Sequence, residues 1–220
     1  MSVVKESPPI LYSLQHCPYA MRARVALYKA KQQVLIRAIK LNNKPEEMLI
    51  SSPKGSVPVL CINENCTIDE SLEIMLWALA KNDPYELLLS DQPSAVADMV
   101  SLIADFESTF IPNMEAYSCA KRYHDDDILT HRQSCEMQLL KLEEMLSKHR
   151  FLFSENESLL DIALFPFIRK FARIERHWYL QSPYPKLRQW LDGYLQSPMF
   201  SKVMAKHELW LDHRQDIYFG

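Results

Sequence analysis

No run of apolar residues in this chain of 220 approaches the eighteen or so that a membrane-spanning helix needs, so a helical membrane protein is not the reading. Basic residues are in no excess. Lysine and arginine number 25 against 28 aspartates and glutamates, a net charge of −3, and the footprint of a nucleic-acid-binding surface is missing. Met1 to Pro9 is too polar for a secretory leader, so the expected compartment is the cytoplasm. The five cysteines, Cys17, Cys61, Cys66, Cys119 and Cys135, have no framework spacing and no pair two or three residues apart. Free thiols are expected, with no disulfide scaffold, zinc site or other metal. There is no internal repeat and no low-complexity segment. What remains, 48% apolar and 24% charged, is the balance of an ordinary globular chain long enough for one large domain or two small ones.

The most informative stretch is His16-Cys17-Pro18-Tyr19-Ala20-Met21-Arg22-Ala23-Arg24, which follows a short apolar strand, Ile10-Leu11-Tyr12, and opens a helix. Pro18 suits the first helical position, where its missing N–H costs nothing. That puts the Cys17 sulfur at a helix N-terminus, where unpaired N–H groups and the dipole favour negative charge. Such settings bring cysteine pKa values to roughly 3.5–7.5, so partial thiolate character is expected and Cys17 is a candidate nucleophile. Free cysteines are more often inert and buried, and the strand, Cys-Pro, helix context is what argues otherwise. Ala20, Ala23, Ala26, Leu27 and Ala30 predict the buried face of a helix ending near Ala30 or Lys31, with Arg22 and Arg24 pointing away from that face or along its edge.

Val34 to Leu41 alternates as a half-buried strand and, reached by a crossover helix, should lie parallel to the first. A loop from Asn42 leads to a short helical piece with Met48 and Leu49. Lys54-Gly55-Ser56-Val57-Pro58-Val59-Leu60-Cys61-Ile62 follows, with Pro58 at the strand's entry or in a special turn. Turn residues Asn63-Glu64-Asn65 predict a hairpin back through Cys66-Thr67-Ile68, and Asp69-Glu70-Ser71 opens a helix. The order from Ile10 to Ala80 is β-α-β-α-β-β-α. Residues 81–93 read as a linker between a domain at 8–80 and an all-helical domain at 94–220. In the latter, Val96 to Phe110 forms one face of a long helix stopped or kinked near Pro112. Asp125-Asp126-Asp127 opens a second helix, Ser158-Leu159-Leu160-Asp161 is a capping box before an apolar run, and further helices start at Pro185 and Ser197.

Four motifs in this order, Cys17-Pro18-Tyr19-Ala20, Ser56-Val57-Pro58-Val59-Leu60, Asp69-Glu70-Ser71 and Ser158-Leu159-Leu160-Asp161, resemble the cytosolic glutathione S-transferase family over about Ile10 to Phe200. Each is weak alone; together, at these spacings, they are specific. Cysteine in the catalytic place, with Asn43-Lys44-Pro45-Glu46 downstream, most resembles the omega class and related bacterial transferases. The resemblance implies a thioredoxin-like N-terminal domain and a C-terminal helical bundle, with glutathione as co-substrate. It implies that Cys17 forms a mixed disulfide with glutathione. The backbone of Val57, before a cis Pro58, would pair with the tripeptide like an added strand. Glu70 and Ser71 would take the γ-glutamyl carboxylate at a helix start, an anion site with clear physics. Lys44 would meet the glycine carboxylate. Met114, Tyr117, Phe171, His177 and Trp178 would line a second-substrate pocket, although aromatic residues at helical spacing are more often core. The partners implied are a small electrophilic, disulfide or oxidised substrate and a second copy of the chain in a homodimer.

Other classes in the family activate glutathione with a tyrosine or serine near the first strand, which directs attention to Tyr12 and Ser13. Here Cys17 replaces that hydroxyl, and a thiolate attacks sulfur where a hydroxyl only stabilises the glutathione thiolate. Thiol transfer or reduction is therefore expected. Ala20 stands where dithiol glutaredoxins carry a second cysteine, so a second glutathione must resolve the mixed disulfide. The competing readings are a transferase that conjugates electrophiles and a scaffold on the same fold, similar to the stringent starvation proteins. A membrane-inserting relative similar to the chloride intracellular channel proteins is disfavoured, since no apolar stretch is long enough.

Overall fold

The computed structural model describes residues 7–220, so most of the polar stretch read against a leader lies outside the described residues. Among these residues the chain runs β1 (Ile10–Ser13), α1 (Pro18–Lys29), β2 (Val34–Ala38), α2 (Glu46–Ser51), β3 (Val59–Asn63), β4 (Cys66–Ile68) and α3 (Ser71–Lys81). It continues through α4 (Ala95–Tyr123), α5 (Ile128–Lys148), α6 (Leu159–Ala172), α7 (Arg176–Gln181), α8 (Pro185–Leu195), α9 (Pro198–Val203), α10 (Trp210–His213) and β5 (Ile217–Phe219).

The sheet has the order β4-β3-β1-β2-β5. The β1-α1-β2 crossover makes β1 and β2 parallel, with Leu11 opposite Ile36 and Tyr12 opposite Arg37. β3 lies antiparallel on the other side of β1, placing Leu11 opposite Leu60, and β4 returns as its hairpin partner. This is the thioredoxin-like arrangement, and α1 and α3 pack together against it. Every residue of α1 from Ala20 to Leu27 is buried. The two arginines of that helix are therefore not on an outer face as the periodicity predicts. Arg22 and Arg24 are each 2% exposed, because α9 covers the side of α1 that a two-layer packing would leave open.

Two compact units result, one running to Tyr85 and taking in Pro198–Gly220, the other spanning Glu86–Ser197. The expected all-helical domain at 94–220 thus ends early. Residues 198–220 join the first unit, where Ile217-Tyr218-Phe219 pairs antiparallel with β2 and closes that sheet edge. Three residues are too few to show an alternating pattern, so periodicity missed this strand. The expected linker at 81–93 is also more than a connection. Leu87 and Leu89 are buried, and the Leu87 carbonyl accepts from the Leu159 N–H at 2.7 Å, fixing the segment to the start of α6.

In the second unit, α4 packs on α5 and α6. α4 runs unbroken through Pro112, against the expected stop. Proline inside a helix costs roughly 3 kcal/mol, a sum that burial of Met99, Ile103, Phe106, Phe110, Met114 and Tyr117 exceeds. Phe106 and Phe110 stack at 4.6 Å between centroids, and Phe171 meets Phe110 at 5.6 Å and Tyr117 at 5.7 Å. α6 begins at the Ser158 capping box as read and is buried on nearly every side.

Candidate functional site

Cys17 is the N-cap of α1, in extended conformation at φ −70° and ψ 124°, with Pro18 in the first helical turn. Its carbonyl accepts from the Met21 N–H at 2.8 Å, and its own N–H bonds to the Leu14 carbonyl at 3.3 Å, closing the turn between β1 and α1. The thiol is half-buried beside an apolar cluster of Tyr12, Ala20, Ile39, Met48, Val57 and Val59. Its Sγ–H points to the Val57 carbonyl oxygen at 3.9 Å. The Val57–Pro58 peptide bond is cis, and both residues are buried immediately before β3.

The segment that presents Val57 is tied to the start of α3. Ser52 donates to the Asp69 carboxylate at 2.6 Å, and Lys54 pairs with Glu70. Just after Lys54 the chain turns at Gly55, φ +64°, held by its N–H to the Ser52 carbonyl at 3.0 Å. A Cβ at Gly55 would lie 3.3 Å from the Lys44 ammonium nitrogen, which places Lys44 over this turn. Glycine answers both demands, the positive φ and the close approach.

Glu70 is the N-cap of α3 and Ser71 its first residue. Ser71 is buried, and its hydroxyl accepts from Arg22 Nε at 2.9 Å. The same guanidinium lies 5.3 Å from the Tyr19 ring centroid. A helix N-terminus with a buried guanidinium behind its first hydroxyl is an electropositive corner suited to an anion. Thus Cys17, Lys44, Val57, Pro58, Glu70 and Ser71 all stand in the first unit, joined by short links through Ser52, Gly55, Asp69 and Arg22.

Met114, Tyr117 and Phe171, read as candidate pocket residues, are fully buried in the ring cluster of the helical unit. Trp178 is half-buried, edge-on to Phe171 at 6.0 Å and covered by the Arg132 guanidinium at 4.4 Å. His177 is exposed on α7. Tyr117 donates to Glu175 at 2.8 Å, and burial foremost, with that bond, pushes its phenol well above its usual range.

Both hydroxyls beside the first strand are taken by arginines. Tyr12 accepts from Arg37 at 2.9 Å, and burial raises its phenol above the ordinary 10.0. Ser13 accepts from Arg24. Residue reading gave Ser52 and Lys54 no role and placed Arg22 and Arg24 off the buried face or along its edge. Their signals are weak, since apolar periodicity places a charged residue off the buried face and cannot mark the one that is sealed in by a distant segment. Asp69 stood within a quoted motif, but its partner Ser52 carried no pattern. No group of three or more His, Cys, Asp or Glu suited to a metal ion occurs among the described residues, nor a helix long and apolar enough to cross a membrane.

The family model described as glutathione S-transferase, N-terminal domain, matches residues 11–86, and that described as glutathione S-transferase, C-terminal domain, matches residues 68–193. Glutathione S-transferase omega-1 of Mus musculus is 29% identical over 206 residues, covering 92% of this chain and 84% of that protein. Among solved structures, a glutathione transferase family member from Pseudomonas fluorescens, with two glutathione bound, superposes with a TM-score of 0.78 at 17% identity, covering 92% of this chain and 94% of that one. Glutathione transferase Omega 3C from Trametes versicolor gives 0.77 at 18%, covering 94% and 88%. These two structures speak to the fold. The family models span both units, and with the four motifs in their expected places the chain belongs to the glutathione S-transferase family.

Proposed function

We propose that this chain is a glutathione-dependent thiol transferase or reductase in which Cys17 exchanges disulfides with glutathione. The observation that carries this reading is the Cys17 thiol at the start of α1, aimed at the Val57 carbonyl beside the cis Val57–Pro58 bond. In this reading the Val57 backbone pairs with the tripeptide, which seats the glutathione sulfur next to Sγ. The γ-glutamyl carboxylate goes to the N-terminus of α3. Ser71 donates its hydroxyl proton to that carboxylate, since the hydroxyl oxygen already accepts from Arg22. Glu70, an acceptor through its side chain, serves the carboxylate by its backbone N–H and leaves its own carboxylate to Lys54. Lys44, over the Gly55 turn, meets the glycine carboxylate.

The chemistry follows from one cysteine. The Cys17 thiolate attacks the glutathionyl sulfur of a mixed disulfide, the new S–S bond forms as the old one breaks, and the substrate leaves as a thiolate that takes up a proton. A second glutathione thiolate then attacks the glutathione sulfur held on Cys17, releasing oxidised glutathione and restoring the thiolate. Ala20, fully buried one turn on, offers no resolving thiol. The substrate class is a small disulfide or oxidised compound, and a homodimer is the working assembly.

Intact mass after incubation with oxidised glutathione tests the reading. One added glutathione on the parent and none on Cys17→Ser is the expected result; an unmodified parent overturns it.

A further inference from the structure

Arg24 is the largest of the fully buried side chains, at 2% exposure, and the mechanism does not use it. A guanidinium taken out of water is tolerated only where its donors find acceptors. Here Nε donates to the Val203 carbonyl at 2.9 Å, Nη1 to the Ser13 hydroxyl and to the Leu14 carbonyl at 3.2 Å, and Nη2 to the Gln15 carbonyl at 2.7 Å, with the Met204 sulfur at 4.0 Å. Three of these acceptors belong to consecutive residues, 13 to 15. They run from the last residue of β1 into the turn before Cys17.

The link to Cys17 runs through one shared acceptor. The Leu14 carbonyl that Arg24 holds also accepts the Cys17 N–H at 3.3 Å. Gln15 in turn donates from Nε2 to the Met204 carbonyl at 2.9 Å, so the turn is fastened to the end of α9 as well. Arg24 sits seven residues into the helix that Cys17 opens, about two turns along its axis. A residue inside α1 therefore fixes the loop that enters α1, and with it the direction in which the Cys17 side chain leaves the backbone.

Resting on the Cys17 reading above, we infer that Arg24 is a positioning residue for disulfide exchange, which sets the line of approach of Sγ to the glutathione sulfur without touching it. Attack at a disulfide displaces one sulfur along the line of the bond that breaks, so the angle of the attacking thiolate matters and small misplacements cost rate. Lysine cannot replace Arg24, because an ammonium is a compact charge that cannot span a hydroxyl and three carbonyls set around a planar fork.

The test compares two reactions of Cys17 in the parent, Arg24→Lys and Ser13→Ala: exchange with oxidised glutathione, read as a saturation curve, and alkylation by iodoacetamide. Exchange breaks the glutathione S–S bond, joins one half to Cys17 and releases the other as thiolate; alkylation needs no docked partner. Arg24→Lys should lower the limiting exchange rate roughly tenfold or more, with the half-saturating concentration and the alkylation rate kept within about threefold. A folded Arg24→Lys that exchanges like the parent overturns the inference, as does an equal loss in both reactions, which is what a merely structural role produces. Should Arg24→Lys fail to fold, Ser13→Ala decides, since it removes one acceptor and leaves the carbonyl bonds in place. A selective loss of exchange of about threefold supports the inference, and parent-like rates overturn it. A parent that takes up no glutathione overturns the Cys17 reading itself, and this inference falls with it.

Discussion

Ser71 illustrates how much a single donor and acceptor assignment decides. Arginine has donors only, so the Ser71 oxygen must be the acceptor of the bond from Arg22, and its one proton is left for another partner. Replacing Ser71 with alanine removes both services at once. Arg22 Nε loses a buried acceptor, which should cost about 1–3 kcal/mol of stability, read by thermal or denaturant unfolding. The proposed bond to a carboxylate is lost too, and since charge-assisted bonds are the stronger kind, the half-saturating glutathione concentration should rise about tenfold or more while the limiting rate changes little. An unchanged saturation curve in a folded variant would remove Ser71 from the glutathione site. Lys44 differs, because its ammonium lies over the Gly55 turn, away from the buried guanidinium that Ser71 serves. Lys44→Ala should raise the half-saturating concentration less, about three- to tenfold, without lowering the melting temperature, and rising ionic strength should shrink the gap.

Among the elements, α6 depends on one carboxylate. Asp161 is fully buried and accepts from the Leu152 N–H at 2.9 Å, the Ser158 N–H at 3.0 Å, the Ser158 hydroxyl at 2.7 Å and Trp190 Nε1 at 2.9 Å. It thereby joins the cap of α6 to the 150–156 loop and to α8. Burial pushes its carboxyl up from 3.8 to about 6, against the pull of those four donors. The sign follows: a raised carboxyl binds its proton more tightly in the folded chain, so this contribution to stability is full below pH 3.8 and is lost as pH rises through about 6. Asp161→Asn offers one acceptor oxygen for four donors and should destabilise by about 3 kcal/mol or more at neutral pH. The parent's margin over this variant should widen between pH 7 and pH 4, a trend that denaturant unfolding at stepped pH reads directly. The cap was legible because Ser158 and Asp161 stand three apart before an apolar run, a local pattern. The tie to Trp190 was not, because nothing in the sequence ties position 161 to position 190. The same division applies at the other helices. Pro18 and Pro185 announced their starts, while Pro112 announced a stop that tertiary packing of α4 overrode.

At the scale of the whole molecule, the element order and the two kinds of structure, sheet with helices and then helices alone, could be read from periodicity and turn residues. The return of residues 198–220 to the first unit could not, since Ile217-Tyr218-Phe219 is a strand only by virtue of the β2 edge it meets. The candidate site shows the same limit. Its motifs are local, and the arginines that fix it are satisfied by remote carbonyls such as Val203. That returning segment is held by a side-chain cluster with a definite pH response. Trp210 Nε1 and Arg214 Nη1 both donate to the Glu47 carboxylate, and the Arg37 guanidinium lies 3.7 Å from the Trp210 ring centroid. Burial alone would raise the Glu47 carboxyl, but the Trp210 bond and the Arg214 and Arg37 charges prevail and hold it below its ordinary 4.5. A lowered carboxyl contributes stability that is full above 4.5 and disappears as pH falls through the folded value, the reverse of Asp161. Trp210→Ala empties a buried site and should cost about 3–5 kcal/mol at neutral pH. Glu47→Gln keeps the packing, so its deficit against the parent should be smaller than that of Trp210→Ala at pH 7 and should shrink as pH falls below 4.5 and the parent's carboxylate takes up its proton. If the deficit persists undiminished in acid, the clamp on the C-terminal segment is packing alone and the Glu47 charge plays no part in it.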